Sequence, residues 1–308
     1  MLLREVMDIM EIVDSRYASG EKVKEFFEKY DQYVDVYVKK VEGDKGYTDF
    51  VRINIEGDPK IKNKKTLGII GRLGGLGARD ARIGLVSDGD GAIAALSAAL
   101  KIVKMQKNGD YLPCNLIVTT HVCPDAPTSP HKPVDFMGSP VDMDIMNSYE
   151  VDKKMDAIIS IDTTKGNNII NHKGISISPT VKEGYILRVS PSIVGIMEIA
   201  TGLPANVFAL SIQDITPYGN DLYHINSILQ PATATSAPVL GIAITAQSAV
   251  PGCGTGASHE TDIAQAANLA IEIGKEYKDG GVEFYDKKEF DQLIKLYGDN
   301  KRFQTKGK

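Results

Sequence analysis

The sequence predicts an α/β protein of three layers, αβα, around a mixed and mostly parallel sheet. Three observations carry that expectation. Apolar runs of strand length alternate with helical periodicities along most of the chain. A pair of alternating segments near the start has the look of an antiparallel edge. A long amphipathic segment near the end supplies a closing helix, and no linker or internal repeat divides the 308 residues, so a single domain over 1–308 is expected.

Residues 2–13 have helical spacing. Residues 19–30 (SGEKVKEFFEKY) form a clearer amphipathic helix, with Ser19 as N-cap, Val23, Phe26, Phe27 and Tyr30 on one face and Lys22, Glu25 and Lys29 on the other. The segments 33–42 and 47–57 alternate with period two around GDKG, which predicts a hairpin at the sheet edge. Strands are expected at 66–73 (TLGIIGRL) and 83–87 (IGLVS), separated by a Gly-rich turn at 74–80. That spacing is too short for a crossover helix, so a dinucleotide fold built on these glycines is not expected. A helix from Ala92 to Met105 follows, then a strand at 115–122 (NLIVTTHV) and a long Pro-rich loop at 124–142. Further strands are expected at 156–162 (DAIISID), in 173–180 and 184–190, at 205–213 (ANVFALSIQ) and at 237–246 (APVLGIAITA). Helices are expected at 191–201 and 261–277.

Composition excludes several classes. A net charge of −5 gives no electrostatic reason to bind nucleic acid. The charged opening MLLREVMDIMEIV is neither a secretory signal nor a membrane span, and no apolar run reaches spanning length, so a cytoplasmic protein without a membrane partner is expected. Cys114, Cys123 and Cys253 form no CxxC pair and cannot all pair internally, which suits a reducing compartment.

In an open α/β sheet, ligands gather beyond the carboxyl ends of the strands. The residues at those ends form a set here: Asp88 and Asp90 after IGLVS, His121 after NLIVTT, Asp162 after DAIISI, and His259 with Glu260 in the turn after the last strand. Carboxylate and imidazole are donors suited to zinc and related divalent ions. A phosphate is the poorer occupant of the Asp88–Asp90 turn, because two carboxylates would repel it. Each residue also has an ordinary reading: Asp88 as a helix cap, His121 bonded within its loop, Asp162 closing a strand, His259 and Glu260 at a solvated helix entrance. His131, His172 and His224 lack the strand-end placement; His172 is expected to be exposed and His224 to pack on a helix face. Cys123 is a minor option as ligand or nucleophile.

In this residue order the chain resembles the zinc-dependent exopeptidases of the co-catalytic aminopeptidase and carboxypeptidase clan, with their phosphorylase/hydrolase-like architecture. SGEKVKEFFEKY is similar to that clan's N-terminal helix, residues 33–57 to its edge hairpin, and GAIAALSAALKIV to the helix after its bridging aspartate. ISIDTT resembles the strand ending in a later carboxylate ligand, and GASHETDIAQAANLAIEI the last histidine ligand with its acidic neighbour. No inserted lid or dimerisation domain fits between Ala92 and Asp162. The chain also looks like an uncharacterised family of about this length that shares THVCPDAP.

The departures bear on chemistry. Where the clan has Gly-His-x-Asp, this chain has GRLG, so Arg72 and Gly74 replace a metal ligand and its orienting carboxylate. Where the clan has paired glutamates, the strand ends in Thr119, Thr120 and His121. Strict spacing puts Ser87 at the bridging position and a one-residue shift puts Asp88 there. The resemblance thus implies a metal-dependent hydrolase of an amide or peptide-like small substrate, with one metal or none. Its ligands would come from Asp88, Asp90, His121, Asp162 and His259, with Glu260 as base and Arg72 as a charge replacing metal or clamping a substrate carboxylate. The alternative is a catalytically degenerate relative that binds a small carboxylated ligand or a partner chain. The Pro-rich loop is placed to cover the pocket, and a homo-oligomer is expected from the resemblance.

Overall fold

The computed structural model describes residues 2–72, 76, 85–124, 126–130, 136–216, 221–250 and 257–307. Of the expected Gly-rich turn at 74–80 only Leu76 is among these residues; Gly74, and also His131 and Cys253, lie outside them.

Helices α1 (Leu3–Val13) and α2 (Gly20–Phe27) open the chain, and Ser19 caps α2 by accepting from the Lys22 N–H at 3.2 Å. The hairpin β1 (Asp35–Gly43) and β2 (Gly46–Ile55) turns at 43–46, as the GDKG pattern predicts. Strand β3 (Thr66–Gly71) leads to a 3-10 turn at Ser87–Gly89, helix α3 (Asp90–Lys107) and strand β4 (Asn115–Val122). The Pro-rich loop contains two short paired strands, β5 (Thr128–Ser129) and β6 (Phe136–Met137), before helix α4 (Met143–Glu150). Then follow β7 (Ala157–Thr164), β8 (Gly174–Ile177), β9 (Val181–Lys182), β10 (Tyr185–Ile186), α5 (Pro191–Thr201), β11 (Val239–Thr245), α6 (Glu260–Glu276) and α7 (Lys287–Tyr297).

The main sheet runs β1-β2-β4-β3-β7-β11-β9-β10, with β8 also on β11. Its four central strands, β4, β3, β7 and β11, are parallel and the flanks are antiparallel. One face is buried under α1, α3, α5 and α6, in a core that includes Ile69, Ile159 and Ile242 from the sheet and Ile93, Leu96 and Leu100 from α3. Each such side chain contributes about 1.5–3 kcal/mol through burial. The opposite face packs Ile70, Ile158 and Ala243 against Phe208, Ile228 and Leu229, and carries α4 over β2 and β4.

Three expectations are corrected. Residues 83 and 84 lie outside the described ones; of the rest of 83–87, Val86 makes a single β-bridge and Ser87 already belongs to the 3-10 turn. Helix α3 is therefore itself the crossover between the neighbouring parallel strands β3 and β4. Residues 205–213 form no strand either; only Val207 makes a bridge, to Ile177, because β8 already occupies that edge of β11. His224 lies in a segment without helix. Helices α4 and α7 were not expected. Helix α4 had been hidden beside the proline-rich run, and α7 has its Asp286 cap accepting from the Lys288 and Glu289 N–H groups.

Candidate active site

The position of α3 is set by two glycines. A Cβ on Gly91 would lie 2.5 Å from the Ile161 carbonyl oxygen and 2.6 Å from that of Arg72, and one on Gly71 would lie 2.6 Å from the Gly91 oxygen. Their absence lets the first turn of α3 sit directly on the carboxyl ends of β3 and β7. The Thr163 hydroxyl donates to the Ser87 carbonyl at 2.6 Å and ties the 3-10 turn to β7. Asp88 and Asp90 are thereby held beside Asp162.

Sheet register decides the rest. Ile70 pairs with Thr119 on one side and Ser160 on the other, so two residues on, Arg72 falls between His121 and Asp162. The Arg72 N–H extends the ladder to the Ile161 carbonyl at 2.8 Å. All three side chains point to the α4 face, since side chains alternate along a strand and Ile70 and Ile158 face that way.

Two fixed cations organise the carboxylates. Arg72 is buried and its Nη1 donates to Glu150 Oε2 at 2.6 Å, while Glu150 Oε1 accepts from His121 Nδ1 at 2.6 Å. Burial opposes ionisation of Glu150, but Arg72 and His121 outweigh it and hold its carboxyl below the usual range. His121 Nε2 is buried with no hydrogen-bond partner among the described residues. Lys165, also buried, donates to Asp90 Oδ2 at 2.7 Å and to the Ala257 carbonyl at 2.8 Å, and Ser258 donates to Asp90 Oδ1 at 2.6 Å.

The remaining carboxylates are crowded. Burial, then the charges of Asp162 and Asp90, push the Asp88 carboxyl up to about 7, with Lys165 pulling it down. Burial raises Asp90 to about 6 against the opposing pull of Lys165 and Ser258. Burial likewise raises Asp162 to about 6, against Arg72, the Thr163 N–H and the Ser227 hydroxyl, which donates to its Oδ2 at 2.9 Å. Asp88 carries no hydrogen bond or ion pair among the described residues and stays partly open to solvent. The cap reading of Asp88 does not describe it, because Gly89 occupies the N-cap of α3 and no side chain caps that helix.

The structure thus brings Asp88, Asp90, Asp162, Arg72 and His121 to one end of the sheet. His259 is exposed at the N-cap of α6, beside Ser258, and near enough for its charge to act on Asp90. Glu260 is half-buried in the first turn of α6, with no hydrogen bond or ion pair joining it to the cluster among the described residues. Away from this site, His172 Nε2 meets Asn206 at 2.9 Å, and Cys123 is buried with its Sγ 3.4 Å from the Tyr47 carbonyl. Sequence reasoning missed Lys165 and Glu150. Lys165 stands three residues past Asp162 and was open to the same strand-end argument. Glu150 could be found only by recognising α4 in MDIMNSYE.

A divalent metal does not fit the described residues as they stand. No three His, Cys, Asp or Glu side chains among them are gathered to hold an ion. Both oxygens of Asp90, Asp162 and Glu150 already accept hydrogen bonds, and Lys165 and Arg72 supply the neutralising charge.

Comparison with known proteins bears on the fold. Among solved structures, the chain is similar to a tomato leucine aminopeptidase mutant (TM-score 0.53, 12% identity, 87% of this chain and 60% of that one). It is also similar to the leucyl aminopeptidase of Trypanosoma brucei in complex with bestatin (0.52, 13%, 88% and 61%). The glutaminyl cyclase of an Acidobacteriales bacterium matches over most of both chains (0.51, 12%, 91% and 94%). The chain spans about 60% of the length of these aminopeptidases. At such identities the likeness shows a shared α/β fold. None of the curated proteins matches. A family model described as "Protein of unknown function (DUF1177)" matches residues 39–307.

Proposed function

The chain belongs to the DUF1177 family, and from that premise we propose that it is a hydrolase of an amide or peptide-like small molecule whose free amino group is received at Asp88. The observation that carries this reading is a charge imbalance. Among the described residues, four buried or half-buried carboxylates, Asp88, Asp90, Glu150 and Asp162, face two fixed cations, Arg72 and Lys165, and the unmatched charge is concentrated at Asp88, which has no hydrogen bond or ion pair among them. A ligand ammonium would relieve that imbalance without a metal. In the free chain the Asp88 carboxyl is raised to about 7, and a bound ammonium would hold it ionised. The aminopeptidase-like fold supports the substrate class.

Arg72 is a poor anchor for a carboxylated ligand, since its guanidinium is buried and committed to Glu150. A second reading, a binder without turnover, is favoured by the same commitment of both cations. One experiment separates the readings. Dipeptides and amino-acid amides, with their N-acetyl counterparts, are incubated with protein before and after chelator treatment, and products are followed by mass spectrometry. Hydrolysis of free-amine compounds only, unaffected by chelation and abolished in Asp88→Asn, is the expected result. Loss on chelation would replace the reading with a metal-based one, saturable binding without products would favour the binder, and neither turnover nor binding would sink both.

A further inference from the structure

A large cavity lies at the other end of the sheet. It has a volume of about 980 Å³ and is framed by the residues that lead into three parallel strands: Lys65 before β3, Asp156 before β7, and Ala237 and Pro238 before β11. That volume is in the range of small-molecule sites. Unlike the cluster at the carboxyl ends, it presents cations without an ion pair among the described residues. Five lysines line it (65, 153, 182, 287 and 306) together with three carboxylates (Asp144, Asp156 and Glu283). Lys65 is engaged by Asp279 at 2.8 Å and Lys182 by Glu183 at 3.2 Å. Asp156 accepts from the Thr66 N–H at 2.8 Å. Lys153, Lys287 and Lys306 are exposed and have no ion pair among the described residues. Tyr285 and the buried Phe284 add an aromatic wall.

Helix α4 connects this cavity to the cluster. Asn147 lines the cavity and donates to Thr233 Oγ1 at 3.2 Å, while Glu150, one turn on, holds both Arg72 and His121. We infer that the amino-end cavity binds a small dianionic molecule, a phosphate ester or a dicarboxylate with an apolar body, and that its occupancy is relayed through α4 to the Glu150–His121 pair. The inference stands independently of the reaction assigned to the cluster.

Calorimetric titration of the full chain with phenyl phosphate and with phthalate tests it. Saturable one-to-one binding of at least one probe is expected, with a dissociation constant below about 1 mM at low salt and weaker at high salt. Binding of phenyl phosphate alone identifies the phosphate class, and of phthalate alone the carboxylate class. Lys153→Glu with Lys287→Glu should weaken binding at least roughly tenfold without changing the melting temperature. No saturation by either probe, or unchanged affinity in that variant, overturns the site. In protein carrying ¹⁵N-labelled histidine, the His121 ring resonances, assigned with His121→Gln, should move on saturation; unmoved resonances overturn the relay.

Discussion

The two ends of the parallel strands hold their charges in opposite circumstances. At the carboxyl ends, Arg72, Lys165, Glu150 and Asp90 are buried and each finds a partner within 2.7 Å. At the amino ends, Lys153, Lys287 and Lys306 are exposed and unpaired among the described residues. Burial makes the difference, because a charge removed from water must be paired or neutralised whereas a solvated one need not be. The two ends should therefore respond to substitution on very different scales.

The largest effect belongs to Glu150. Glu150→Ala leaves Arg72 buried without its carboxylate and should cost about 3–5 kcal/mol in urea denaturation. The double variant Arg72→Met, Glu150→Leu should cost less than that single change, and an equal or greater cost would break the claim that the unpaired charge is the source. Lys165→Met is next, at about 2–3 kcal/mol, since Ser258 still bonds Asp90 and the carboxyl can take up a proton. The same variant should bind zinc or manganese more tightly than the unaltered chain in equilibrium dialysis; no gain would argue against Lys165 standing in for a cation.

A smaller effect, of opposite sign, is expected at Asp88. Asp88, Asp90 and Asp162 keep their protons up to about 7, 6 and 6, above the ordinary 3.8. The folded chain thus binds more protons than the unfolded one across that window, so this stabilising contribution is full below about pH 4 and is lost as pH rises towards 7. Glu150 runs the other way, losing its contribution as pH falls through its lowered value. Asp88→Asn should therefore raise stability by about 1–2 kcal/mol at pH 8 and by little at pH 5, read from melting curves at both. The smallest effect is at the amino end, where Lys153→Ala should change stability by less than about 0.5 kcal/mol. A larger loss would mean that the lysines there are not merely solvated.

The legibility of each part followed the range of the forces that make it. The alternating hairpin, the Ser19 cap, β7 with its terminal Asp162 and the closing α6 are local patterns, and they could be read directly. So could the idea that strand ends gather Asp88, Asp90, His121 and Asp162. Misreadings occurred where a neighbour already held the place, as at 205–213, kept off the sheet by β8. Helix α4 was missed because proline and glycine dominate the approach to it, although its own eight residues have helical spacing.

Residue order by itself determined the α/β class, the strand-end set and the replacement of a clan histidine by Arg72. Tertiary structure alone decided that Glu150 clasps Arg72 and His121, that Lys165 takes Asp90, and that Asp88 has no hydrogen bond or ion pair among the described residues. The reason is that periodicity and capping act over one or two turns, whereas the pairing of buried charges depends on sheet register and on helices brought together from distant parts of the chain.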